Sequence, residues 1–427
     1  MSASLPPGWT TCKIGQVIEF KYGKALPASI RDGAGFPVFG SNGVVGHHSS
    51  WLASAPTIVI GRKGSVGEVC FSSENCSPID TTYYVDEFDA FNPKFCFYLL
   101  KCLDLGSLNK ATAIPGLNRK DAYGLQLSLP PLAEQTRIAA KLDELLAQVD
   151  TLKARIDGIP ALLKRFRQSV LAAAVSGRLT EEWRIKSSNY QDVSWPNKKL
   201  STCCSLVTSG SRGWADYYAK EGAIFVRSQD INTDELDLSN TAFVKLPQSS
   251  EGKRTKLEVQ DILLTITGAN VGKVARVQAA IPEAYVSQHV ALIRLSDSNL
   301  APFIELYLKD VGSGRKELTR LAYGGGKPGL NLSNIKNLMV PCPPIEEQTE
   351  IVRRVKQLFA FADQLEARVV AAQERIDKLT QSILAKAFRG ELVPQDPNDE
   401  PASVLLERIK AQRAAAPKAK RGRKTAK

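Results

Sequence analysis

A long internal repeat constrains this chain more than any other feature of its sequence. Residues 115–179 align without a gap with residues 328–392, at an offset of 213 positions. Both copies open with Pro-Gly-Leu-Asn, pass through a double proline and the tripeptide Glu-Gln-Thr, and close on Gly-x-Leu. Such self-similarity predicts two copies of one structural unit, since 427 residues are too many for a single ordinary core.

Weaker similarity extends the repeat toward the N-terminal side of each copy. Leu5–Trp9 resembles Val193–Pro196, and the apolar, glycine-containing run at residues 58–69 resembles the run at 262–274. Each half of the chain is therefore predicted to hold one variable domain of roughly 110 to 150 residues, followed by one shared helical segment.

The shared segments carry apolar residues at alternating steps of four and three, which is typical of a coiled-coil seam. We expect the two seams to cover each other, and a two-fold-like repeat makes the pair antiparallel. The alternative is that each helix packs on its own domain as an ordinary amphipathic helix. The seam positions are Ile138, Leu142, Leu145, Val149, Leu152, Ile156, Ile351, Val355, Leu358, Leu365, Val369, Ile376, Leu379 and Ile383.

Prolines and glycines predict where the two helices begin, break and end. The double prolines suit helix starts, and Gly177 and Gly390 suit C-terminal stops. Gly158 and Pro160 interrupt the first seam, because an interior proline removes a helical hydrogen bond. We expect a kink or break there and a continuous second helix.

The variable domains combine short β-rich runs with turns. Strands are predicted at residues 36–39, 57–61, 81–85, 223–226, 261–266 and 290–295, and short helices at 92–103 and 301–311. No βαβ regularity is present, so the predicted fold class is α+β (mixed α/β): two globular domains separated by two long antiparallel coiled-coil helices, with an internal pseudo-two-fold repeat.

Several loops of these domains place small or polar residues beside positive charge, which suits DNA. Glycine lets the backbone approach phosphate, arginine matches a guanine edge, and asparagine or glutamine matches an adenine edge. For any single residue the alternative is a solvated surface turn. The candidate DNA-contacting residues are Ser41, Asn42, His47, Arg62, Lys63, Ser65, Ser211, Arg212, Trp214, Arg227, Ser228, Gln229, Thr267, Asn270, Gln288, His289 and Lys327.

Composition agrees with a polyanionic partner. The formal net charge is +12, and seven basic residues with no acid lie between residues 413 and 427. The eight cysteines form no C-x-x-C pair and are expected to be reduced and mostly buried. No apolar run of 18 residues and no secretory signal are present, so a cytoplasmic location without membrane contact is expected.

Catalytic and metal-binding motifs are not found in the sequence. It lacks a phosphate loop and a dinucleotide-binding glycine motif, and His47 and His48 have no third ligand nearby, so we read them as a loop feature. Asn92-Pro93-Lys94-Phe95 is superficially similar to the Asn-Pro-Pro-Phe/Tyr signature of adenine methyltransferases, but lysine replaces the second proline and we read it as a helix start. We expect no catalytic residue, bound metal or cofactor in this chain.

The order of these motifs resembles a known family. A variable domain, Pro-Gly-Leu-Asn, Pro-Pro-x-x-Glu-Gln-Thr-x-Ile and a heptad helix, all repeated once, is similar to the specificity (S, HsdS) subunit of type I restriction-modification systems. The resemblance spans residues 5 to about 410, and the element before each helix is its most specific part. The basic residues beyond about 411 depart from the family pattern and are expected to be a disordered tail.

The resemblance implies a division of labour between segments. The implied segments are a first target recognition domain (1–131), a first conserved helical region (132–180), a second target recognition domain (181–344), a second conserved helical region (345–393), a C-terminal conserved segment (394–410) and the basic tail (411–427).

It also implies partners. Each target recognition domain would read one half of a split sequence in double-stranded DNA, and the helices would set the spacing and dock two methyltransferase (M) subunits. The M subunits would methylate adenine with S-adenosylmethionine, and two restriction (R) subunits would add ATP- and Mg-dependent translocation and cleavage. The alternatives are a self-contained methyltransferase or nuclease, a coiled-coil scaffold, and a stand-alone DNA-binding protein outside a restriction system.

Overall fold

The computed structural model describes residues 5–108, 116–187, 194–246, 252–324 and 328–415. The chain forms two compact units, Met1–Ile156 with Ala371–Lys427, and Asp157–Val370. Pro115, Lys327 and residues 416–427, on which parts of the sequence predictions fall, lie outside the described residues.

The strands of the first unit are short and the helices few until the long α4. In chain order the elements are β1 (Thr10–Lys13), α1 (Ile14–Val17), β2 (Lys21–Tyr22), β3 (Phe36–Gly40), β4 (Gly43–His48), β5 (Thr57–Gly61), β6 (Val69–Ser72), β7 (Ser77–Pro78), β8 (Thr82–Val85), α2 (Pro93–Cys102), α3 (Arg119–Gly124), β9 (Gln126–Leu129) and α4 (Leu132–Asp157).

The rest of the chain repeats this alternation. It holds α5 (Ile159–Val175), α6 (Glu181–Lys186), β10 (Asn197–Lys199), β11 (Cys204–Ser209), β12 (Tyr218–Ala219), β13 (Ala223–Val226), β14 (Ala242–Val244), β15 (Ile262–Thr265), β16 (Val274–Arg276), β17 (Ala284–Val286), β18 (Val290–Leu295), α7 (Ala301–Lys309), α8 (Gly314–Leu321), α9 (Leu332–Lys336), β19 (Met339–Pro341), α10 (Ile345–Phe388) and α11 (Ala402–Ala415). The six predicted strands and both predicted short helices are present within two residues of their predicted ends.

The sheets of the two units share one plan. The first unit has a four-stranded antiparallel sheet in the order β2-β8-β5-β6, and the second has β11-β18-β15-β16. Each unit adds a parallel pair, β3 with β7 or β13 with β17, and a two-stranded antiparallel pair, β1 with β9 or β10 with β19. The repeat seen in the sequence therefore extends through both variable domains, including regions where residue identity is lost.

The Pro-Gly-Leu-Asn motif joins each helical segment to the central sheet. The amide of Leu117 donates to the carbonyl of Arg62 at 2.9 Å, and the amide of Leu330 donates to the carbonyl of Ile266 at 2.8 Å. Both acceptors lie just after a central strand, β5 or β15, and both leucines are buried. The asparagine that ends each motif caps the next helix, α3 or α9, with its side chain.

The Glu-Gln-Thr motif anchors each helix start. Gln135 is fully buried and donates to the carbonyl of Pro130 at 3.1 Å, and Gln348 donates in the same way to Pro343 at 2.8 Å. The second proline of each pair has no N–H to donate, and the carbonyl of the first proline accepts from the buried glutamine amide.

In the first unit, the glutamate of this motif lies at a buried junction between three segments. Glu134 is 1 % exposed and accepts from the indole nitrogen of Trp9 at 3.0 Å and from Gln395 at 3.2 Å. Burial raises the pKa of Glu134, against the lowering effect of these two hydrogen bonds. Gly390 lies under this junction, where an added Cβ would come within 2.5 Å of the Pro6 ring.

In the second unit, the equivalent glutamate makes the equivalent junction. Glu347 is 1 % exposed and accepts from the indole nitrogen of Trp195 at 3.0 Å and from the hydroxyl of Thr180 at 2.7 Å. The Arg184 guanidinium donates to the same carboxylate. Gly177 lies against Trp195, because a Cβ added to Gly177 would lie 3.0 Å from the indole ring of Trp195.

The long helices pair in antiparallel fashion within each unit. In the first unit, Glu134 near the start of α4 meets Gln395, while Lys153 near its end meets Asp377 at 3.2 Å. In the second unit, Arg167 of α5 meets Asp363 at 2.7 Å, and the carbonyl of Leu179 accepts from Arg354 at 2.9 Å. Apolar seam positions fill the space between the helices: Ile138, Leu142, Val149, Ile376 and Ile383 in the first unit, and Ile351, Val355 and Leu358 in the second.

Two positions of the predicted seam are not covered. Leu152 and Leu379 are each 47 % exposed, while Leu145, Ile156 and Leu365 are half-buried. An open groove of about 490 Å³ lies beside Val149 and is lined also by Lys153 and Asp377, which pair at 3.2 Å. Charged pairing replaces leucine packing there, so the heptad pattern overstates the length of the apolar seam.

The predicted interruption of the first helical segment is confirmed. Helix α4 ends at Asp157 and α5 begins at Ile159, with Gly158 between them, whereas α10 is continuous from Ile345 to Phe388. Gly158 keeps right-handed helical dihedral angles, so the break is a loss of hydrogen bonding around Pro160 rather than a turn of the backbone at the glycine.

The predicted helix start at Asn92 is also confirmed. The Asn92 side chain accepts from the amides of Lys94 and Phe95, with Pro93 in the first turn.

All eight cysteines are free thiols, of which Cys102 is exposed. Across the described ranges, no helix is long and apolar enough to cross a membrane, and no three His, Cys, Asp or Glu side chains are grouped to hold a metal ion.

Leu358→Pro should destabilise the chain by about 3 kcal/mol or more, because it removes a hydrogen bond from the interior of α10 and introduces a clash with the preceding turn. Leu358→Met is the matched control, since it keeps the side-chain volume and the amide and should cost less than about 1.5 kcal/mol. Thermal unfolding measures both, and a proline variant that unfolds at the wild-type temperature would contradict the helix.

Gly390→Ala should destabilise the first unit more than Gly33→Ala. Both glycines have positive φ, +74° and +76°, so each substitution carries a backbone cost of about 1–2 kcal/mol. Only at Gly390 does the new methyl group meet another residue, since nothing lies within 4 Å of the Gly33 position. Denaturant unfolding compares the two variants, and equal losses would show that the junction around Trp9 is not tightly packed.

Candidate nucleic-acid interface

In the first unit, the predicted polar loops come together at one end of the central sheet. The β3–β4 turn holds Ser41 and Asn42, and the β5–β6 loop holds Arg62, Lys63 and Ser65. The two loops touch at Ser41. A Cβ added to Gly61 would lie 2.8 Å from the Ser41 carbonyl oxygen, and a Cβ added to Gly64 would lie 3.3 Å from the Ser41 hydroxyl. Glycine at these positions therefore lets the two loops form one surface.

The histidine pair is not in a loop, contrary to the sequence interpretation. His47 and His48 lie on β4, where they pair with Pro37 and Phe36 of β3. Alternation along a strand sends the two side chains to opposite faces. His48 Nδ1 lies 3.4 Å from Asp32 Oδ2, and the His47 side chain is exposed.

In the second unit, three loops enclose an open cavity of about 300 Å³. The loop after β11, the loop after β13 and the β17–β18 loop each contribute, although they are far apart in sequence. The predicted residues that line the cavity are Ser211, Trp214, Arg227, Ser228, Gln229, Gln288 and His289.

Hydrogen bonds hold the polar side chains of this cavity in place. Asp230, which is buried, accepts from Nη2 of Arg227 at 3.1 Å and from its backbone amide at 2.7 Å. With the Gln229 amide turned so that its oxygen faces Arg227, that oxygen accepts from Nη2 at 3.0 Å and from Nη1 at 3.3 Å. Nδ1 of His289 is hydrogen-bonded to the Thr267 hydroxyl. The cavity thus presents preorganised donors and acceptors of the kind that read base edges.

Two predicted contact residues face inward instead. Trp214 is 6 % exposed and stacks on Phe225 at 5.2 Å between ring centroids, so it forms the cavity wall and offers little free surface for stacking. Asn270 donates to the carbonyl of Ser228 at 3.0 Å and so supports the neighbouring loop. The Trp214 side chain packs in the domain core, and the Asn270 side chain hydrogen-bonds a backbone carbonyl. Sequence alone does not reveal either role.

The remaining predicted residues are more peripheral. Arg212 is exposed beside the cavity but is not among its lining residues, and Lys327 lies outside the described residues.

Sequence reasoning missed a second cavity, in the first unit. It measures about 500 Å³ and is lined by Tyr22, Tyr83, Gly116, Leu117, Asn118, Arg119 and Lys120. Desolvation is the main cause that raises the pKa of Tyr83 to about 12, so its hydroxyl stays protonated and donates to the carbonyl of Leu117 at 3.1 Å. Arg119 and Lys120 directly follow the Pro-Gly-Leu-Asn motif, and this position beside a repeated turn is the signal that could have drawn attention to them.

Comparison with known proteins identifies the repeated unit. Residues 6–161 and 215–372 each match the family model described as type I restriction modification DNA specificity domain. The chain belongs to this type I restriction-modification specificity family, which confirms the predicted family and fold class.

Curated relatives agree with this assignment. The chain is 39% identical over 371 residues to the EcoBI type I restriction enzyme specificity subunit of Escherichia coli, covering 79% of this chain and 75% of the relative. It is 32% identical over 465 aligned positions to the EcoDI specificity subunit of Escherichia coli, covering 99% of this chain and 100% of the relative.

Solved structures share the fold at low sequence identity. A chain from a structural study of assembly and conformational transition of the type I R-M system superposes with a TM-score of 0.67 at 19% identity, over 91% of this chain and 100% of that one. The HsdS subunit from Thermoanaerobacter tengcongensis superposes with a TM-score of 0.58 at 20% identity, over 92% and 99% of the two chains.

Proposed function

We propose that this chain is the DNA-recognition subunit of a type I restriction-modification complex in the cytoplasm, and that it is not itself an enzyme. The observation that carries the proposal is that one domain plan occurs twice with a different polar surface on each copy. The relatives named above are specificity subunits, which supports the same role.

In this proposal each domain reads one half of a bipartite double-stranded DNA target. The polar cavity beside Gln229 serves one half, and the surface formed by the β3–β4 and β5–β6 loops serves the other. The segments are those predicted from the sequence: recognition domains at 1–131 and 181–344, helical regions at 132–180 and 345–393, a closing segment at 394–410 and a basic tail at 411–427. The expectation of disorder from residue 411 is wrong for residues 411–415, which continue helix α11.

The paired helices are proposed to set the spacing between the half-sites and to dock two M subunits. Adenine methylation, with S-adenosylmethionine, then belongs to the M subunits, and ATP- and Mg-dependent restriction belongs to two R subunits. A coiled-coil scaffold would keep the fold but show no preference for a DNA target. A stand-alone DNA-binding protein would keep the fold but not associate with a methyltransferase. Purified chain that transfers methyl groups or cleaves DNA without any other protein would contradict the non-catalytic role.

Exchanging residues 5–130 for the matching domain of a relative with a different target should change only one half of the methylated sequence. The reason is that each domain has its own core and its own polar surface. Sequencing that maps methylated adenines in host DNA gives the result, and the reciprocal exchange of residues 193–343 is the control. Simultaneous change of both halves after either exchange would rule out two independent readers.

Gln229→Ala should relax the preference for one base pair in one half-site by about 1 kcal/mol, because the side-chain amide lines the cavity and its NH2 group can donate to an acceptor on a base edge. Competition binding of the assembled complex against duplexes substituted at each position measures the preference. Gln278→Ala, an exposed glutamine outside the cavity in the same unit, should leave every position unchanged. An unaltered profile for the Gln229 variant would remove this residue from the reading surface.

A further inference from the structure

The first unit carries a cluster of one exposed tyrosine between two arginines. Tyr22 lies on β2 and is 50 % exposed, and its ring meets the ring of buried Tyr83 edge-on at 5.0 Å between centroids. The Arg62 guanidinium lies 5.4 Å from the centre of the Tyr22 ring, and the Arg119 guanidinium lies 5.1 Å from it. Cation–π contacts at these distances attract both guanidinium groups to the ring.

Backbone carbonyls complete the support of both guanidinium groups. Arg62 donates from Nη2 to the carbonyl of Asp80 at 2.7 Å, and Arg119 donates from Nη1 to the carbonyl of Phe20 at 3.2 Å. Neither arginine forms a salt bridge with a carboxylate in the part of the chain that the structure describes, although most other arginines there do. The Nε of Arg62 is buried and has no hydrogen-bond partner among the same residues.

These charges adjoin an open cavity. Arg119 and the exposed Lys120 line a space of about 500 Å³, with Tyr22 and Tyr83 on its wall. Among the described residues no carboxylate pairs with Arg62 or Arg119, and Lys120 adds a third positive charge nearby, so the local charge favours an anion. Each guanidinium has five N–H donors, and a bond to one carbonyl leaves others for an incoming oxygen.

The second unit shows that the fold does not need this cluster. The carbonyl that accepts from the leucine of Pro-Gly-Leu-Asn belongs to Arg62 in the first unit and to Ile266 in the second. By the same repeat, Leu332 occupies the position of Arg119. Ile266 is 6 % exposed, and Leu332 packs against the core of its own unit. The same backbone frame is thus stable with apolar side chains, so the charges of the first unit call for a role beyond folding.

We infer that Tyr22, Arg62 and Arg119 form a phosphate clamp for the DNA backbone at the half-site read by the first domain, a contact that the second domain lacks. The inference rests on the proposed function and adds the residues and the chemical group that they bind. Phosphate is favoured because it is an acceptor-only anion that matches a guanidinium fork, and because arginine–phosphate contacts position a protein on duplex DNA. Tyr22 contacts both guanidinium groups through its ring.

The test measures the salt dependence of DNA binding by the full chain assembled with its M subunits. Fluorescence anisotropy with a labelled target duplex and a scrambled duplex, at several salt concentrations, gives the slope of log K against log salt. Arg62→Gln and Arg119→Gln should each weaken binding about five- to tenfold near 0.1 M salt and reduce the slope by about one, equally on both duplexes. Arg119→Lys should restore most of the slope, because the charge is kept.

Lys101→Gln is the matched control, since it removes one exposed positive charge of the same unit outside the cluster and should leave the slope unchanged. Each variant is first shown to unfold at the wild-type temperature. An unchanged slope in folded Arg62→Gln and Arg119→Gln, while wild type binds its target, would overturn the clamp and leave the proposed function standing. Loss of preference at one base pair with an unchanged slope would also overturn it, because the contact would then be to a base. Wild-type protein that binds neither duplex would overturn the clamp and the proposed function together.

Discussion

A buried carboxylate that accepts from a tryptophan indole lies at the base of each helical segment, and the rest of each unit depends on it. Glu134 and Glu347 are both 1 % exposed, and each bonds a tryptophan more than a hundred residues earlier in the chain. A carboxylate in such a position is costly unless its oxygens are satisfied, so the indole and the donors from a third segment must all be in place. The interaction therefore specifies which segments meet.

A third segment completes each junction, so the repeat in the sequence is also a repeat in the structure. Gln395, beyond the second long helix, completes the junction of Glu134, whereas Thr180, beyond the first, completes that of Glu347. Each unit is thus closed by the segment that follows the opposite helix of the pair. Glycine is required at the approach, since Gly390 and Gly177 lie where a side chain would meet Pro6 or Trp195. These hydrogen bonds join the start of each long helix to the segments that close its unit.

On this common frame the two domains carry different chemistry. The position after the central strand holds Arg62 in one copy and Ile266 in the other, and the residue after Pro-Gly-Leu-Asn is Arg119 or Leu332. The leucine amide needs only a carbonyl oxygen from its partner, so the partner's side chain is free to vary. A frame held by backbone and by buried anchors can therefore present new polar surfaces without a new fold, which is what two independent DNA readers need.

The sequence by itself determined the repeat, the strand positions, the helix break at Gly158 and the family, because these depend on local spacing and on motifs that recur. It did not determine the exposure of Leu152 and Leu379, since a heptad pattern does not show which seam positions are covered by other residues. Nor did it show that Trp214 and Asn270 turn inward, or that Tyr22, Arg62 and Arg119 meet. Only the tertiary structure decided those points, because a side chain's role depends on neighbours brought from distant segments, and a single sequence does not record which neighbours those are.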